Sequence, residues 1–245
     1  MKRALPLLAA AGFLALWFAL STRYPPALLP GPIEVLQACA DPKLATALWT
    51  TTRSALAGLA IASVVALGGA VAFQKSQWLE LALYPYALLL QTVPIIAIAP
   101  LLVVWLGYGS AVAVASAAIV CFFPLLTAGN VGLRDVSASQ VELMRLYGAS
   151  WGQELVKLRL PAALPHVFAG YRNAVGLSVI GAIVGEFVAS NGMPVSLGYL
   201  VLSTARSAQT DRTFSAILAS TVLALSLFGA VRLAERTMLR WREET

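Results

Sequence analysis

With 245 residues, 59% of them apolar and only 11% charged, the chain holds more hydrophobic surface than a soluble core can hide, so lipid must cover much of it. Its net charge of +6 is dispersed over loops and ends, with no basic face interleaved with aromatic residues, which excludes nucleic acid as a partner. The two cysteines, Cys39 and Cys121, stand far apart and make no disulfide framework.

Met1-Lys2-Arg3 precedes an uncharged run over 4–22. This run reads as a secretory signal, with Ala19-Leu20-Ser21 as a passable cleavage site, or as a retained first span. Because the remainder is itself membrane-like, the retained span is the expectation. A proline-rich connector follows over 23–43, and the uncharged stretch between Arg53 and Lys75 predicts a second span, 53–74. As a helix it is about 31 Å long, enough to cross once. After a polar turn at 74–80, the run 81–133 carries no charge. It is too long for one helix and suits two, 81–106 and 110–133, broken at Gly107-Tyr108-Gly109. Within the first of these, Pro94 and Pro100 predict one bent helix. Such a helix either lines a solute path, with Gln91 and Thr92 among its few polar groups, or lies kinked and buried in the bundle.

The segment 134–161 is the one long polar stretch inside the apolar chain. Ser139 with Glu142, and Ser150 with Gln153, have the spacing of capping boxes, predicting two short helices with Gly148 in a left-handed turn between them. Val141, Leu143, Met144, Leu146 and Tyr147 offer the first helix an apolar face beside Glu142 and Arg145. Pro161 is expected to stop the second helix.

A span over 165–189 contains Glu186, an acid that should face a subunit interface or a water-filled path. It either shapes an outer gate or solute site, or serves as a structural hydrogen-bonding group. Gly181 and Gly185 on the same helix allow a neighbour to approach closely, a packing feature first and a dimer hint second. Asn191-Gly192-Met193-Pro194 turns the chain, 197–205 is apolar but too short to cross and is read as dipping into the outer interface, and 213–232 makes a last span before a basic tail. The expectation is an all-α, polytopic single transmembrane domain with six spans.

Six spans put both termini, the 74–80 turn and 134–161 on one side. That side holds Lys2, Arg3, Lys75, Arg134, Arg145, Lys157, Arg159, Arg232, Arg236, Arg240 and Arg242. The other holds Arg23, Lys43, Arg53, Arg206 and Arg212, while Arg172 falls within span five. The excess places 134–161 in the cytoplasm. No G-x-x-x-x-G-K-[ST] loop is present, so ATP cannot be bound in the P-loop manner. The sole histidine, His166, lacks a partner set and reads as an interfacial residue, neither a metal ligand nor a base. Enzymatic chemistry has no support.

In the polar segment, Glu142, Gly148, Leu158, Leu160 and Pro161 stand in register with the cytoplasmic "EAA" loop of permeases of binding-protein-dependent ABC importers, which this chain resembles. Leu143 and Met144 replace the two alanines of that pattern. Leu29-Pro30-Gly31-Pro32 resembles the outer-face "LPxP" entry of the same permeases. The run 91–109, with C-F-F-P at 121–124 and V-I-G-A-I-V-G-E-F at 179–187, is similar to the branch serving sulfonates, taurine, nitrate, thiamine-precursor pyrimidines and riboflavin, and most similar to its last two groups. The resemblance implies the type I importer fold in the cytoplasmic membrane of a prokaryote. It also implies a second permease copy forming a homodimer, two ATP-binding subunits and an extracytoplasmic solute-binding protein. No cofactor would be bound by this chain, ATP and Mg being used by the ATPase. Coupling to the ATPase would fall to Glu142, Leu143, Met144, Arg145, Gly148, Leu158 and Pro161, and the path to Gln91, Thr92, Pro94 and Glu186. The alternatives are a secondary transporter driven by an ion gradient, which calls for internal repeats and mid-membrane carboxylates, and a non-transporting scaffold.

Overall fold

The structure, a computed structural model, describes residues 5–191 and 195–240. The expected turn at 191–194 therefore lies, beyond Asn191, outside the described residues, as do the basic start and the last residues of the basic tail. Every regular element among the described residues is helical, as the sequence predicts. In chain order these are α1 (Leu5–Ser21), α2 (Pro32–Ala38), α3 (Pro42–Lys75), α4 (Gln77–Thr92), α5 (Ile95–Leu106), α6 (Ser110–Arg134), α7 (Ala138–Leu146), α8 (Trp151–Glu154), α9 (Leu160–Val188), α10 (Leu197–Arg206) and α11 (Thr210–Met238). A π-helical turn, Leu155–Arg159, joins α8 to α9.

The centre of the molecule is the antiparallel contact of α6 with α9, flanked by α3. It is built on small residues. A Cβ added at Gly185 would lie 2.6 Å from Ala113 Cα, and one at Gly181 would lie 2.8 Å from Ala117 Cα. In lipid, where apolar side chains gain little by leaving the solvent, such close backbone approach supplies the van der Waals contact that holds helices together. Gly181 and Gly185 are thus spent inside one chain. Around this pair, Ala62, Ala66, Ala70, Leu125, Leu126, Leu133, Ala163, Ala174 and Val175 form one buried cluster. Ala47, Ala55, Ala117, Val179, Ala182, Leu197 and Leu223 form another nearer α10.

Three expectations are corrected. The second span starts at Pro42, well before residue 53, because Asp41 accepts a hydrogen bond from Lys43 N (2.9 Å) and Pro42 occupies the first turn, a complete helix start. Arg53 simply sits on the helix's exposed side. The third expected span is two helices, α4 and α5, meeting at 103° across Val93 and Pro94. Val93 is extended (ψ 123°), as the residue before a proline prefers, and Pro94 caps α5, whereas Pro100 lies inside α5 without breaking it. Third, Pro161 does not stop a helix: Trp151–Val188 runs as one helical rod of 38 residues. The π turn lets Leu160 N donate to Leu155 O, five residues back, just ahead of the proline that has no N–H to give. The break between α5 and α6 falls where expected, with Gly107 (φ 75°) and Gly109 (φ 142°) turning the chain.

By length and composition four helices can cross a membrane (α3, α6, the 151–188 rod and α11), five if the bent α4–α5 pair counts as one. The remaining span of the expected six would be α1, a shorter apolar helix. It is bound into the fold: Trp17 stacks on Phe214 at 6.2 Å and donates its indole N–H to Pro30 O (3.1 Å).

If the α6–α9 contact holds the bundle, Gly185→Ala should overpack it by about 1–3 kcal/mol. The thermal midpoint in detergent should fall, while Gly176→Ala, whose new methyl meets no atom within 4 Å, should leave it unchanged. Equal midpoints for the two variants would contradict the packing account.

Candidate functional site

At one end of the bundle the chain between α6 and α9 forms a platform that projects from the apolar spans. α7 begins at Ser137, whose Oγ accepts from Gln140 N (3.3 Å) while Gln140 Oε1 accepts from Ser137 N (3.1 Å). The capping box thus stands two residues before the expected Ser139–Glu142 pair. Both pairs fit the spacing, and α6 ends at Arg134 with a connection short enough for α7 to start at once. Glu142 consequently lies within the helix and exposed. It lines a notch of about 480 Å³ with Arg134, Val136, Ala138, Val141, Arg145 and Arg159.

The turn after α7 follows from one residue. Gly148 (φ 72°) donates to Arg145 O (2.9 Å) and Ala149 N to Met144 O (3.0 Å), a Schellman motif that closes the helix. Ser150 then caps α8 with Gln153 in the expected reciprocal box. Leu143 is exposed, and Leu146 and Tyr147 are 81% and 82% exposed. Met144 is half-buried beside them, as are Leu158 and Pro161 further along. The apolar face foreseen on α7 therefore exists and has no cover from its own chain.

What holds this face in place was not read from the sequence. Glu154 is buried and receives Arg159 Nε at 2.7 Å; Arg159 Nη1 donates to Leu133 O at 3.0 Å; Arg145 Nε lies 3.7 Å from the second carboxylate oxygen. One carboxylate thus ties both short helices to the end of α6. A spacing of five suits the π turn and is silent under an α-helical i, i+4 rule, so no ordinary pattern would have found the pair. Lys75 Nζ at the end of α3 stands 5.5 Å over the Trp151 ring, a second anchor. Glu80 accepts from Asn130 Nδ2 (2.8 Å) and pairs with Arg134, and His166 Nε2 meets Asp135 Oδ2 at 2.9 Å.

The residues expected along a path separate into two settings. Gln91, Thr92 and Pro94 are exposed at the α4–α5 break, where Thr92 Oγ1 donates back to Leu89 O (2.8 Å). Glu186 is fully buried, hydrogen-bonded to Thr51 and to the backbone of α10. Among the described residues no group of three or more His, Cys, Asp or Glu could hold a metal ion.

A family model described as "Binding-protein-dependent transport system inner membrane component" matches residues 58–240. The chain belongs to this family. It is an ABC transporter permease, a multi-pass inner-membrane subunit of an ATP-driven importer that is not itself an enzyme. Permeases of such systems work with a separate ATPase and a substrate-binding protein. Membership removes the ion-gradient and scaffold alternatives. The permease is 33% identical over 232 residues to a probable ABC transporter permease protein of Haemophilus influenzae, covering 92% of this chain and 93% of that one. It is 33% identical over 222 residues to the riboflavin transport system permease protein RibX of Chloroflexus aurantiacus, covering 89% and 82%. Against the formylaminopyrimidine transport permease protein ThiX of Halalkalibacterium halodurans, identity is 32% over 224 residues, covering 89% and 88%.

Replacing Glu154 by Ala should free the platform while leaving the permease spans intact. The cost is about 2–3 kcal/mol, below that of a fully buried pair because Arg145 and solvent stand close. Amide hydrogen exchange over 138–158 should accelerate roughly 30- to 100-fold, with exchange in α6 unchanged. Unaltered exchange in the platform would refute the anchoring role.

Proposed function

We propose that the platform, α7 through the π turn, is the surface on which the ATPase docks, and that it faces the cytoplasm. The observation that carries this is the uncovered apolar face of Leu143, Leu146 and Tyr147, held out on an otherwise polar segment by a buried carboxylate and a glycine turn. A lone helix with no such task would turn those side chains inward. Met144 stands half-buried beside the face, Glu142 and Arg145 lie on the same helix, and Leu158 and Pro161 lie where the platform enters the rod. The excess of Lys and Arg at this end supports the orientation.

The solute path lies at the α4–α5 break, between two copies of the permease. Irregular backbone at membrane depth is tolerated where protein or water meets it, and lipid offers no hydrogen bonds. Here the break, with Gln91, Thr92 and Pro94, is exposed in a single chain. A second copy placed over it would cover the apolar flanks, leaving the polar groups on a shared path. With two ATPases beneath and a binding protein above, nucleotide binding would draw the two platforms together and rock the rods, opening the path outward. Hydrolysis would reset it.

RibX and ThiX carry names that specify riboflavin and formylaminopyrimidine, two flat nitrogen heterocycles. A solute of that kind, a thiamine-precursor pyrimidine or a flavin, is the proposed cargo. The sulfonate-type anions of the wider branch are the second reading. With so few polar groups at the break, selection falls chiefly to the binding protein.

Two measurements test this. Gly148→Val forces a β-branched residue into the left-handed region, at about 1–3 kcal/mol, and nothing lies within 4 Å to clash with the side chain itself. Solute-stimulated ATP hydrolysis by the assembled complex should therefore fall at least several-fold, whereas Gly148→Asn should retain most of it. Full activity in the valine variant would end the coupling account. Titrating the partner binding protein with riboflavin, hydroxymethyl- or formylaminopyrimidine and taurine should show tight binding of a heterocycle alone; tight binding of taurine would favour the second reading.

A further inference from the structure

Glu186 sits in the last turn of α9 with no exposed surface. Its Oε2 accepts from Thr51 Oγ1 of α3 (2.9 Å) and from Gly198 N in the first turn of α10 (2.9 Å). Thr51 Oγ1 in turn accepts from Leu197 N (3.0 Å). Ser196 caps Tyr199 N (3.2 Å). The N–H groups that a helix start leaves without intrahelical partners are thus claimed by side chains of α9, α3 and α10 itself. The fit leaves no slack: a Cβ at position 198 would lie 2.6 Å from Glu186 Cβ, so only glycine lets the carboxylate rest against the backbone.

Holding a helix start needs less than this. Ser196 already caps α10, and burying a carboxylate whose Oε1 has no partner is expensive. What Glu186 adds is a link between elements. It is one helical rod, continuous from Trp151 to Val188, that carries both the platform at one end and Glu186 at the other. At 1.5 Å per residue the rod is about 57 Å long. Beyond the link, α10 lends Tyr199, Ser203 and Thr204, with Ser207 just after its end, to the wall of a cavity of about 280 Å³ at the far end. Asp41 and Arg212, 3.7 Å apart, stand on the other side of it.

We infer that Glu186 is a positioning residue that makes α10 move with α9, so that displacement of the platform is delivered to the wall of the cavity at the opposite end of the permease. The inference rests on the platform being the ATPase dock. Thr51 completes the link by binding α3 into it. Neither residue touches solute or nucleotide; both act through α10.

The test uses the complete transporter, with ATPase and binding protein, reconstituted in lipid vesicles. Glu186→Leu removes the acceptor, Glu186→Gln keeps one oxygen for Thr51 and Gly198, and Thr51→Val keeps the shape but leaves Leu197 N unpaired. Solute uptake per ATP hydrolysed is read for each, alongside the amount of assembled complex. Glu186→Leu should lower uptake per ATP about tenfold or more, within the usual span of coupling between sites, with nucleotide hydrolysis persisting. Thr51→Val should lower it several-fold, and Glu186→Gln should retain most of it. A merely structural role would lower uptake and hydrolysis together, in proportion to the complex assembled, and that result overturns the inference. So does unchanged uptake per ATP in Glu186→Leu or, should that variant fail to assemble, in Thr51→Val. If the unmodified complex shows no solute-stimulated hydrolysis, the docking reading beneath fails instead.

Discussion

The close approach of α6 and α9 is the constraint on which the rest of the structure depends. Lipid gives these helices little hydrophobic reason to associate, so their contact is made by shape, with glycines and alanines letting one backbone seat against the other. Gly185 on Ala113, Gly181 on Ala117 and Gly170 on Ala128 repeat that contact along much of the rod. Because so little side chain separates the two backbones, α9 has few alternative positions against α6. A rigid pair of this kind can transmit a displacement from one end of a membrane protein to the other. The same glycines placed on a lipid-facing surface would only loosen a helix.

Polar groups are used sparingly and in two distinct ways. Buried or half-buried ones join elements: Glu154 to Arg159 and the end of α6, Glu80 to Asn130 and Arg134, Glu186 to Thr51 and α10, Arg172 of α9 to Glu235 of α11. Each link bridges separate helices or a helix and a turn, where an apolar contact would leave orientation free. The exposed groups behave differently. Gln91 and Thr92 stand exposed beside an irregular backbone, Thr92 bonded only to Leu89 O in its own helix, and Leu146 and Tyr147 project from a helix with nothing of their own chain upon them. These are the surfaces that a single chain leaves unfinished, and they fall at the α4–α5 break and on the platform, the two places to which the proposed function assigns a second permease copy and the ATPase.

What could be read from the residues was whatever depends on short sequence spacing. Apolar runs bounded by charges marked most of the spans, Gly107 and Gly109 marked a turn, and Gly148 between two capped helices marked the platform. Spacing does not choose between two overlapping capping boxes, and α7 starts two residues earlier than the Ser139–Glu142 pair predicts. Proline showed where a helix is disturbed but not the outcome: Pro94 ends a helix, Pro100 sits within one, and Pro161 is absorbed by a wider turn. The difference lies in whether neighbouring turns can reassign the lost hydrogen bond, which the local letters do not specify.

The sequence by itself therefore determined the class of protein, the all-helical fold and the position of the capped-helix platform, because hydrophobic run length, left-handed glycine and end-capping act over a few residues. Tertiary structure alone decided that Glu154 anchors the platform, that α4 and α5 turn sharply apart, and that Glu186 serves α10 from a neighbouring helix. Those depend on partners far away in the chain, brought within hydrogen-bonding distance only once the backbones have packed.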